Sequence, residues 1–590
     1  MPTFLKQLLA SCLGVLLALG VLILIGVGIV ARLSDQASKP PKIAANTVLH
    51  LKFDKQIPER TNNLEMNPFD FSNQKILGLQ DIVRTIRQAK TDDEIRGIFL
   101  ELQGSTYGHA TMHALHDVLV EFKESGKFII AYGDYFEQGG YYLSAVADQV
   151  IVNPMGDFSF RGFAAIIPFF KNMLDKVGVK MQVFYAGQYK SATEPYRLSE
   201  MSDANRLQVR EFMEDLFQNY LADIAQHRNI PFDELRSLSD NFKIQKVEDA
   251  AQYGLVDQLG YKDEAISWMR NKLGLEQSDE LPMVELEAYY LASKEPTNFR
   301  INDKIAILYS EGNIIMGEGD PGTIGDQKYT KLIQDIREDD DIKAVVLRIN
   351  SPGGSALASE NIWRELQLLR EAHKPLVVSM GDYAASGGYY IACLGDSILA
   401  NANTLTGSIG VFNILPNARE LLNDHLGITF DTVNTGSNST GLTPFFDLAA
   451  ADAEWLQTSV DSIYEHFLQR VGEGRGMTRD AVHEIAQGRV WTGQKAQQIG
   501  LVDQLGDLDD AIDIAAYLSG LEDYRLAEYP EIQDPLQAFV KELTGGEETG
   551  IQSQLLQQQL GAYYPYYQQL ETLKQLKGYQ ALLPFFVLPN

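Results

Sequence analysis

Two residues of this chain could together form the reactive pair of a serine hydrolase. Ser408 lies between Gly407 and Ile409-Gly410 after a predicted strand, and a serine on a sharp turn of this kind can expose its hydroxyl group as a nucleophile. Lys190 lies among apolar and aromatic residues, just before a Glu-Pro turn. A serine hydroxyl needs a base to become a nucleophile, and an unprotonated lysine can be that base. These residue types predict a Ser–Lys dyad if the fold brings the two side chains together.

Each of these residues alone has a more common structural interpretation. The sequence G-S-x-G is short, and most of its occurrences are ordinary turns, while a single lysine is usually a solvated surface charge. A lysine base also needs a pKa well below the value of about 10.4 for the free side chain. Burial away from water lowers the pKa in this way. The dyad therefore requires a fold in which Lys190 is buried beside Ser408.

A long internal repeat shows how the fold could do this. The heptapeptide GLVDQLG occurs at residues 254–260 and again at 500–506, and Gly139-Gly140-Tyr141-Tyr142 matches Gly387-Gly388-Tyr389-Tyr390 at nearly the same offset. A repeat of roughly 250 residues is far longer than a solenoid unit, which runs about 20–50 residues. The chain therefore contains one whole domain copied once.

Aligning the two copies shows that each lacks one member of the predicted dyad. Phe160 stands opposite Ser408, and either Asn438 or Ser439 stands opposite Lys190, depending on a one-residue gap. A phenylalanine cannot be a nucleophile, so only the second copy has the serine and only the first has the lysine. The duplication predicts one active site that is divided between the copies.

The copies also differ at a turn that could stabilise an oxyanion. In the second copy a buried strand runs into Pro352-Gly353-Gly354, where the first copy has Gln103-Gly104-Ser105. Glycines leave backbone N–H groups free of side chains, and such groups can bind the developing oxyanion of an acyl-transfer reaction. Taken alone, a Pro-Gly-Gly sequence is more often only a tight turn.

The elements that would hold these residues alternate between strands and helices. Strands at 97–102 and 128–131 in the first copy match strands at 344–349 and 375–379 in the second, with a helical pattern after each. Alternation at this spacing is typical of parallel βαβ units with right-handed crossovers. Each copy is therefore predicted to be an α/β domain.

Changes in composition along the chain divide it into five predicted parts. We expect a transmembrane anchor at residues 1–33, a linker at 34–46, an α/β domain with the lysine at 47–290, an α/β domain with the serine at 301–525, and a C-terminal tail at 526–590. The tail is rich in Gln and Leu and ends in an apolar segment. We expect it to pack on its own protein or on a partner subunit, with membrane contact as the alternative.

The predicted anchor depends on an uncharged segment from Gln7 to Ala31. That length can span a hydrocarbon layer of about 30 Å, whereas a cleavable signal peptide usually has an apolar core of only about 7–15 residues. We therefore predict a retained helix. Arg32, Lys39 and Lys42 follow the helix, and this charge distribution counts weakly against an N-terminus on the inner side.

Charge and cysteine content exclude other classes of protein. The formal net charge of −29 argues against a nucleic-acid partner, which would require a basic face. The two cysteines, Cys12 and Cys393, are too few for a disulfide framework or a Cys/His metal cluster. We predict no metal and no cofactor.

Four motifs taken together resemble a known family. The chain is similar to the signal peptide peptidase A family, in the long duplicated form found in Gram-negative bacteria. The resemblance covers roughly residues 45–520 and the N-terminal anchor, and its central motifs are Tyr189-Lys190-Ser191-Ala192, Arg348-Ile349-Asn350-Ser351-Pro352-Gly353-Gly354, Ala385-Ser386-Gly387-Gly388-Tyr389-Tyr390 and Thr406-Gly407-Ser408-Ile409-Gly410.

The resemblance implies a fold, an activity and an assembly. Each repeat would have a fold like that of the Clp protease and the crotonases, with Ser408 as nucleophile and Lys190 as general base. The expected oxyanion donors are the backbone N–H groups of Gly354, from the turn described above, and of Ile409, since the residue after a nucleophile commonly has this role. The family cleaves remnant signal peptides, which are hydrophobic peptides. It assembles as a homotetramer anchored in the inner membrane by a single helix, with the catalytic bulk in the periplasm.

Three other interpretations are open from the residues alone. In a Ser-His-Asp hydrolase, His425 would be the base, with Asp431 or Asp447 as its partner. A crotonase-like acyl-CoA enzyme would also use a glycine-rich oxyanion turn, although an acidic, anchored chain suits a nucleotide ligand poorly. A catalytically inactive membrane scaffold is the third, and intact Ser408 and Lys190 count against it.

Overall fold

The structure is a computed structural model that describes residue 14 and residues 42–61, 76–102, 107–294, 298–320, 322–531 and 578–583. Apart from residue 14, the predicted anchor lies outside the described residues. Among the residues that are described, no helix combines the length and the apolar character needed to cross a membrane.

The first repeat contains seven strands and ten α-helices among its described residues. The strands are β1 Thr47–Leu51, β2 Ile95–Glu101, β3 Phe128–Gly133, β4 Gln149–Val152, β5 Lys180–Ala186, β6 Gln258–Leu259 and β7 Met283–Glu285. The helices are α1 Leu79–Thr91, α2 His109–Lys123, α3 Gln138–Ser144, α4 Lys171–Lys176, α5 Glu194–Arg197, α6 Asp203–Arg228, α7 Phe232–Asp240, α8 Val247–Gln252, α9 Lys262–Leu273 and α10 Leu286–Ser293.

The strands of the first repeat, except β5, form one parallel sheet in the order β6-β4-β3-β2-β1-β7. Its central strands are apolar on both faces, and Ile98, Phe99 and Leu100 are completely buried. Continuous apolar strands are typical of a parallel sheet that helices cover on both sides. The predicted α/β architecture of this repeat is confirmed.

The second repeat has twelve strands and seven α-helices among its described residues. The strands are β8 Lys304–Glu311, β9 Asn313–Ile315, β10 Thr323–Gly325, β11 Ile342–Ser351, β12 Gly353–Ser355, β13 Leu376–Ala385, β14 Ser397–Ala400, β15 Leu405–Gly407, β16 Val411–Asn417, β17 Val490–Thr492, β18 Gln504–Leu505 and β19 Arg525–Tyr529. The helices are α11 Asp326–Glu338, α12 Ala356–Glu371, α13 Gly387–Ala392, α14 Ala450–Arg475, α15 Arg479–Ile485, α16 Gly493–Gln498 and α17 Leu508–Ser519.

The main sheet of the second repeat repeats the architecture of the first. Its path is β17-β15-β13-β11-β8-β19, with β14 paired to β13 and β18 paired to β14. All these pairs are parallel except β15 with β17. The last strand, β19, extends to Tyr529 and therefore enters the segment predicted as tail.

A third sheet, which we name the shared sheet, joins the repeats. Its order is β10-β9-β12-β20-β16-β5, where β20 is Gln580–Leu582 from the C-terminal segment. Strand β5 of the first repeat pairs antiparallel with β16 of the second, and Ala186 lies opposite Val411. Because the strands run in opposite directions, the segment after β5 and the segment before β16 emerge at the same place.

Buried polar contacts fix one repeat on the other. Arg348 Nε donates to Glu59 Oε2 at 2.8 Å, and both residues are buried. Thr111 donates to Asp382 through its backbone N–H at 2.9 Å and through its hydroxyl at 2.7 Å. Removing one partner of a buried charged pair is strongly destabilising, so these contacts hold the repeats in one relative position.

Candidate active site

Ser408 lies on a sharp turn between two sheets. It follows β15 of the main sheet and precedes β16 of the shared sheet, and its φ angle is 50°. Its backbone N–H donates to the Arg489 carbonyl at 2.7 Å, which holds the turn, and its side chain is completely buried. A non-glycine residue with positive φ is strained and is often found at a functional site. The turn expected from the sequence is present.

Lys190 reaches Ser408 from the other repeat. It lies just beyond the end of β5 and before a single 3₁₀ turn, Ser191–Thr193, and only 1% of its surface is exposed. Its Nζ atom lies 3.1 Å from Ser408 Oγ and 3.0 Å from the Ser408 carbonyl oxygen. The antiparallel pairing of β5 with β16 explains this meeting, because it places both segments at the same end of the shared sheet.

Burial sets the protonation of this lysine. Desolvation holds the pKa of Lys190 well below its ordinary value, since an ammonium ion loses its hydration in an apolar interior. A neutral amine has two N–H groups and one lone pair. The backbone carbonyl oxygen of Ser408 can only accept a hydrogen bond, so it accepts one N–H of the amine. The lone pair of Lys190 Nζ is then left to accept a proton from a hydroxyl group. This arrangement suits a general base.

A third side chain, Ser386, contacts the lysine and was missed by the sequence reasoning. Lys190 Nζ lies 2.7 Å from Ser386 Oγ, which can accept the second N–H of the amine. Ser386 follows β13, has a φ angle of 56°, and donates its backbone N–H to the Gly407 carbonyl at 2.8 Å. In the first repeat Gln138 precedes the matching Gly-Gly-Tyr-Tyr sequence. A comparison of Ser386 with Gln138 would have marked this position as one at which the two copies differ.

Gly488 allows the two halves of the site to approach each other. Its N–H donates to the Ile409 carbonyl at 2.7 Å, while the preceding residue, Gln487, accepts from Tyr189 N–H at 2.8 Å. Its φ angle is +79°, and a Cβ atom there would lie 2.6 Å from the Lys190 backbone nitrogen. Only glycine fits without moving the lysine.

The predicted oxyanion turn forms β12 of the shared sheet. Gly353 has a φ angle of +101°, and a Cβ atom on Gly354 would lie 2.0 Å from the Ile314 carbonyl oxygen on β9. Both glycines are therefore required by the backbone. Ile409, the other predicted donor, directly follows Ser408 and is completely buried.

The residues of the alternative triad do not gather around the serine. His425 ends an exposed π-helical turn, Leu421–His425, and Asp431 and Asp447 are also exposed. Asp447 accepts instead from Asn417 Nδ2 at 3.1 Å. Ser408, by contrast, is completely buried beside Lys190. This geometry favours the lysine over the histidine as the base.

Comparison with known proteins agrees with the repeat. The sequence profile of peptidase family S49 matches residues 121–276 and, separately, residues 368–522. The chain belongs to peptidase family S49. It is thus a serine peptidase, and the two matched segments show that it has the duplicated S49 form.

Named relatives extend this S49 similarity over most of the chain. "Protease 4" from Salmonella typhi is 34% identical over 545 residues, which are 89% of this chain and 86% of the relative. "Serine protease SPPA, chloroplastic" from Arabidopsis thaliana is 31% identical over 447 residues, 74% of this chain and 65% of the relative. "Putative signal peptide peptidase SppA" from Enterococcus faecium is 36% identical over 203 residues, 34% of this chain and 59% of the relative.

Proposed function

We propose that this S49 peptidase is a membrane-anchored endopeptidase that degrades remnant signal peptides and other hydrophobic peptides with a Ser408–Lys190 dyad. The observation that carries this proposal is the 3.1 Å contact between Lys190 Nζ and Ser408 Oγ. Both side chains are buried, and they come from different repeats. Neither repeat alone would contain a complete site.

In the proposed reaction Lys190 acts as a base both when the acyl-enzyme forms and when water hydrolyses it. Neutral Lys190 accepts the proton of Ser408 Oγ as the oxygen attacks the carbonyl carbon of the scissile bond. The backbone N–H groups of Gly354 and Ile409 stabilise the oxyanion. The Lys190 ammonium then gives the proton to the leaving amine, and the same lysine activates the water that hydrolyses the acyl-enzyme.

Apolar clusters beside the dyad support a hydrophobic peptide as substrate. One cluster contains Ala192, Phe412 and Ile414, and another contains Tyr383 and Leu405. An extended peptide lying in the shared sheet would place alternate side chains on opposite faces, so apolar side chains could reach both clusters. The Enterococcus relative is named a putative signal peptide peptidase, which points to the same class of substrate.

We also propose the membrane location, the assembly and the fold family that the resemblance implies. Residues 1–33 would anchor the protein in the inner membrane by a single helix, with both repeats in the periplasm, because residues 7–31 have no charge and enough length. Each repeat would have a Clp protease- or crotonase-like fold, and the protein would be a homotetramer. Cross-linking of the detergent-solubilised full chain would test the tetramer.

The substrate proposal can be tested directly with a synthetic signal peptide. The full-length chain in detergent is expected to cut the apolar core of the peptide, with products identified by mass spectrometry, whereas Ser408→Ala leaves it intact. Ser437→Ala changes an exposed serine in the same repeat and is the matched control. Cleavage of fluorogenic apolar peptides without cleavage of signal peptides would keep the peptidase but reject this substrate.

The pH dependence of the reaction should report Lys190. Because burial lowers the pKa of Lys190, the amine is neutral and active above that lowered pKa and protonated and inactive below it. We expect kcat/KM to rise with pH through one ionisation well below the value of about 10.4 for free lysine. Steady-state kinetics from acidic to alkaline pH measures this. A midpoint at the value of free lysine would contradict a buried base.

Ser386 is expected to position the lysine. Ser386→Ala removes an acceptor of Lys190 Nζ, so kcat should fall by about 10-fold to 100-fold through misplacement of the amine. Hydrogen bonds from a charged donor are the stronger ones, so the change should also move the midpoint of the pH profile to lower pH. Ser144→Ala is the matched control, since Ser144 is equally buried and bonds only locally, to the Gly140 carbonyl. An unchanged midpoint would leave Ser386 with a structural role only.

A further inference from the structure

One segment of the second repeat lies between the lysine and the serine turn. We name residues 487–492 the bridging segment. Its Gln487 carbonyl accepts from Tyr189 N–H at 2.8 Å, next to the lysine, and its Arg489 carbonyl accepts from Ser408 N–H at 2.7 Å. The position of the bridging segment therefore sets how far the lysine backbone lies from the serine turn.

A buried glutamine of the first repeat, Gln208 on α6, contacts both sides of this arrangement. Its Nε2 donates to the Tyr189 carbonyl and to Ser191 Oγ, each at 3.0 Å, and its Oε1 accepts from Val490 N–H of the bridging segment at 3.2 Å. Tyr189 and Ser191 are the two neighbours of Lys190 in the chain, and Gln208 is only 1% exposed. One amide group thus connects both neighbours of the base to the segment that holds the serine turn.

The partners of Gln208 match the two ends of an amide. The Tyr189 carbonyl can only accept a hydrogen bond, and the Val490 N–H can only donate one. A group that joins them must therefore offer a donor to one and an acceptor to the other. Glutamine offers both from one planar group, in the one orientation that satisfies both partners.

A second set of buried polar groups fixes Gln208 itself. Asn205, one turn earlier on α6, accepts from Gln208 Nε2 at 3.1 Å and donates through Nδ2 to Glu194 Oε2 at 2.9 Å. Glu194 also accepts from the Ser202 hydroxyl at 2.6 Å, and both Asn205 and Glu194 are buried. A buried polar network whose members have partners is rigid. Because Glu194 follows Lys190 by four residues, this network joins the start of α6 to the lysine segment.

In the second repeat a different residue stands at the place of this glutamine. Helix α14 lies at the same place in the second repeat as α6 in the first, and both helices have 26 residues. Trp455 is the sixth residue of α14, as Gln208 is of α6, and it is 55% exposed. The buried amide is therefore found in the copy that has the lysine, and the copy without the lysine has an exposed indole there.

We propose that Gln208 is a positioning residue for Lys190, because it holds the base at a fixed distance from the serine turn. This role rests on the proposed function, since Lys190 acts as a base only in that reaction. Gln208 acts through the chain on either side of the lysine. Lys190 Nζ lies 3.1 Å from Ser408 Oγ, and a displacement of about 1 Å from a reactive geometry can lower a rate by about 10²-fold.

Gln208→Met is expected to lower kcat by about 10-fold to 100-fold and to change KM little. Methionine has a similar length but no N–H, so the lysine segment would no longer be joined to the bridging segment. KM should hold because the side chains of both apolar clusters stay in place. Water would also reach the loosened amine more easily, and desolvation is what lowers the pKa of Lys190. The midpoint of the pH profile should therefore move to higher pH, toward that of free lysine.

Steady-state kinetics on a fluorogenic apolar peptide from acidic to alkaline pH, with the full-length chain in detergent, measures both effects. Gln138→Met is the matched control. Gln138 is 2% exposed, donates to the Gly162 carbonyl at 3.1 Å and accepts from the Gly162 N–H at 2.9 Å. It is thus an equally buried amide that bonds to backbone groups at both ends, within the first repeat. The control should lose thermal stability and keep the kcat and the midpoint of the wild type.

Gln208→Asn gives the same test if the methionine variant does not fold. It keeps an amide but is one methylene shorter, so it should not reach both Tyr189 and Val490, and the same two changes are expected. A Gln208 variant that loses only thermal stability, or that lowers kcat at an unchanged midpoint, would overturn the positioning role and leave the proposed function standing. A wild type that does not cut the peptide, or whose midpoint lies at the value of free lysine, would instead reject the proposed dyad.

Discussion

Replacing Lys190 by methionine is expected to lower kcat/KM for an apolar peptide by about 10⁴-fold or more, because removing the base of a serine nucleophile costs on this scale. Lys190 Nζ is in hydrogen-bond contact with Ser408 Oγ at 3.1 Å. Methionine has a similar length and no lone pair of comparable basicity. Initial rates on a fluorogenic peptide, with the full-length chain in detergent, measure the effect.

The same variant should not be less stable than the wild type. Because the pKa of Lys190 is lowered in the folded state, the folded chain binds fewer protons than the unfolded chain between that pKa and the pKa of free lysine. The free energy of unfolding of the wild type therefore rises with pH through this window and is lowest below it. Lys190→Met removes the group that must lose its proton on folding. Its Tm at neutral pH is expected to equal or exceed that of the wild type, with the difference shrinking as pH rises.

Two further variants test whether the enzyme needs Lys190 as a proton acceptor or only needs a long, positively charged side chain at this position. Lys190→Arg keeps a long cationic side chain that stays protonated at all relevant pH values, so it should be as inactive as Lys190→Met. Lys176→Ala removes an exposed lysine of the same repeat and should keep wild-type rates. Substantial activity in the arginine variant would show that Lys190 does not act as a proton acceptor.

The contact between Ser408 and Lys190 could be predicted because the duplication left two unequal copies. The alignment that placed Phe160 opposite Ser408 also showed that no lysine stands opposite Lys190. In the structure Phe160 is a buried core residue that contacts the rings of Tyr141 and Tyr220. One copy therefore uses this position for packing and the other for a strained serine.

What the sequence did not predict depends on long-range pairing. The pairing of β5 with β16 and that of β20 with β12 join segments that are far apart in the chain, and neither leaves a local pattern to read. Ser386 was also missed, although it lies in a motif that was recognised. Comparison with Gln138 of the first copy marks this position as different, but the contact of Ser386 with Lys190 depends on how the two repeats pair.

A single methyl group added at Gly353 is also expected to have a large effect on kcat/KM. Gly353→Ala would place a Cβ atom 2.1 Å from the Ala581 carbonyl oxygen, which is nearer than any non-bonded contact allows. Gly354 lies opposite Ala581 in the antiparallel pairing of β12 with β20, and the flanking hydrogen bonds Ala356 N–H to the Tyr579 carbonyl and Leu583 N–H to the Pro352 carbonyl make this a hydrogen-bonded pair. The Ala581 carbonyl therefore lies at the Gly354 N–H. The substitution should therefore push a substrate carbonyl away from the oxyanion donor. We expect kcat/KM to fall by about 10²-fold or more, as when one oxyanion donor is lost.

Strain and steric exclusion can be distinguished with a second glycine. Gly353 has a φ angle of +101°, so alanine there also adds backbone strain of about 1–3 kcal/mol. Gly427 likewise has a positive φ angle, +68°, but a Cβ atom there would have no neighbour within 4 Å. Gly427→Ala should therefore lose some thermal stability and keep its peptidase rate. If both variants kept wild-type kcat/KM, the space above Gly353 would not be where a peptide carbonyl binds.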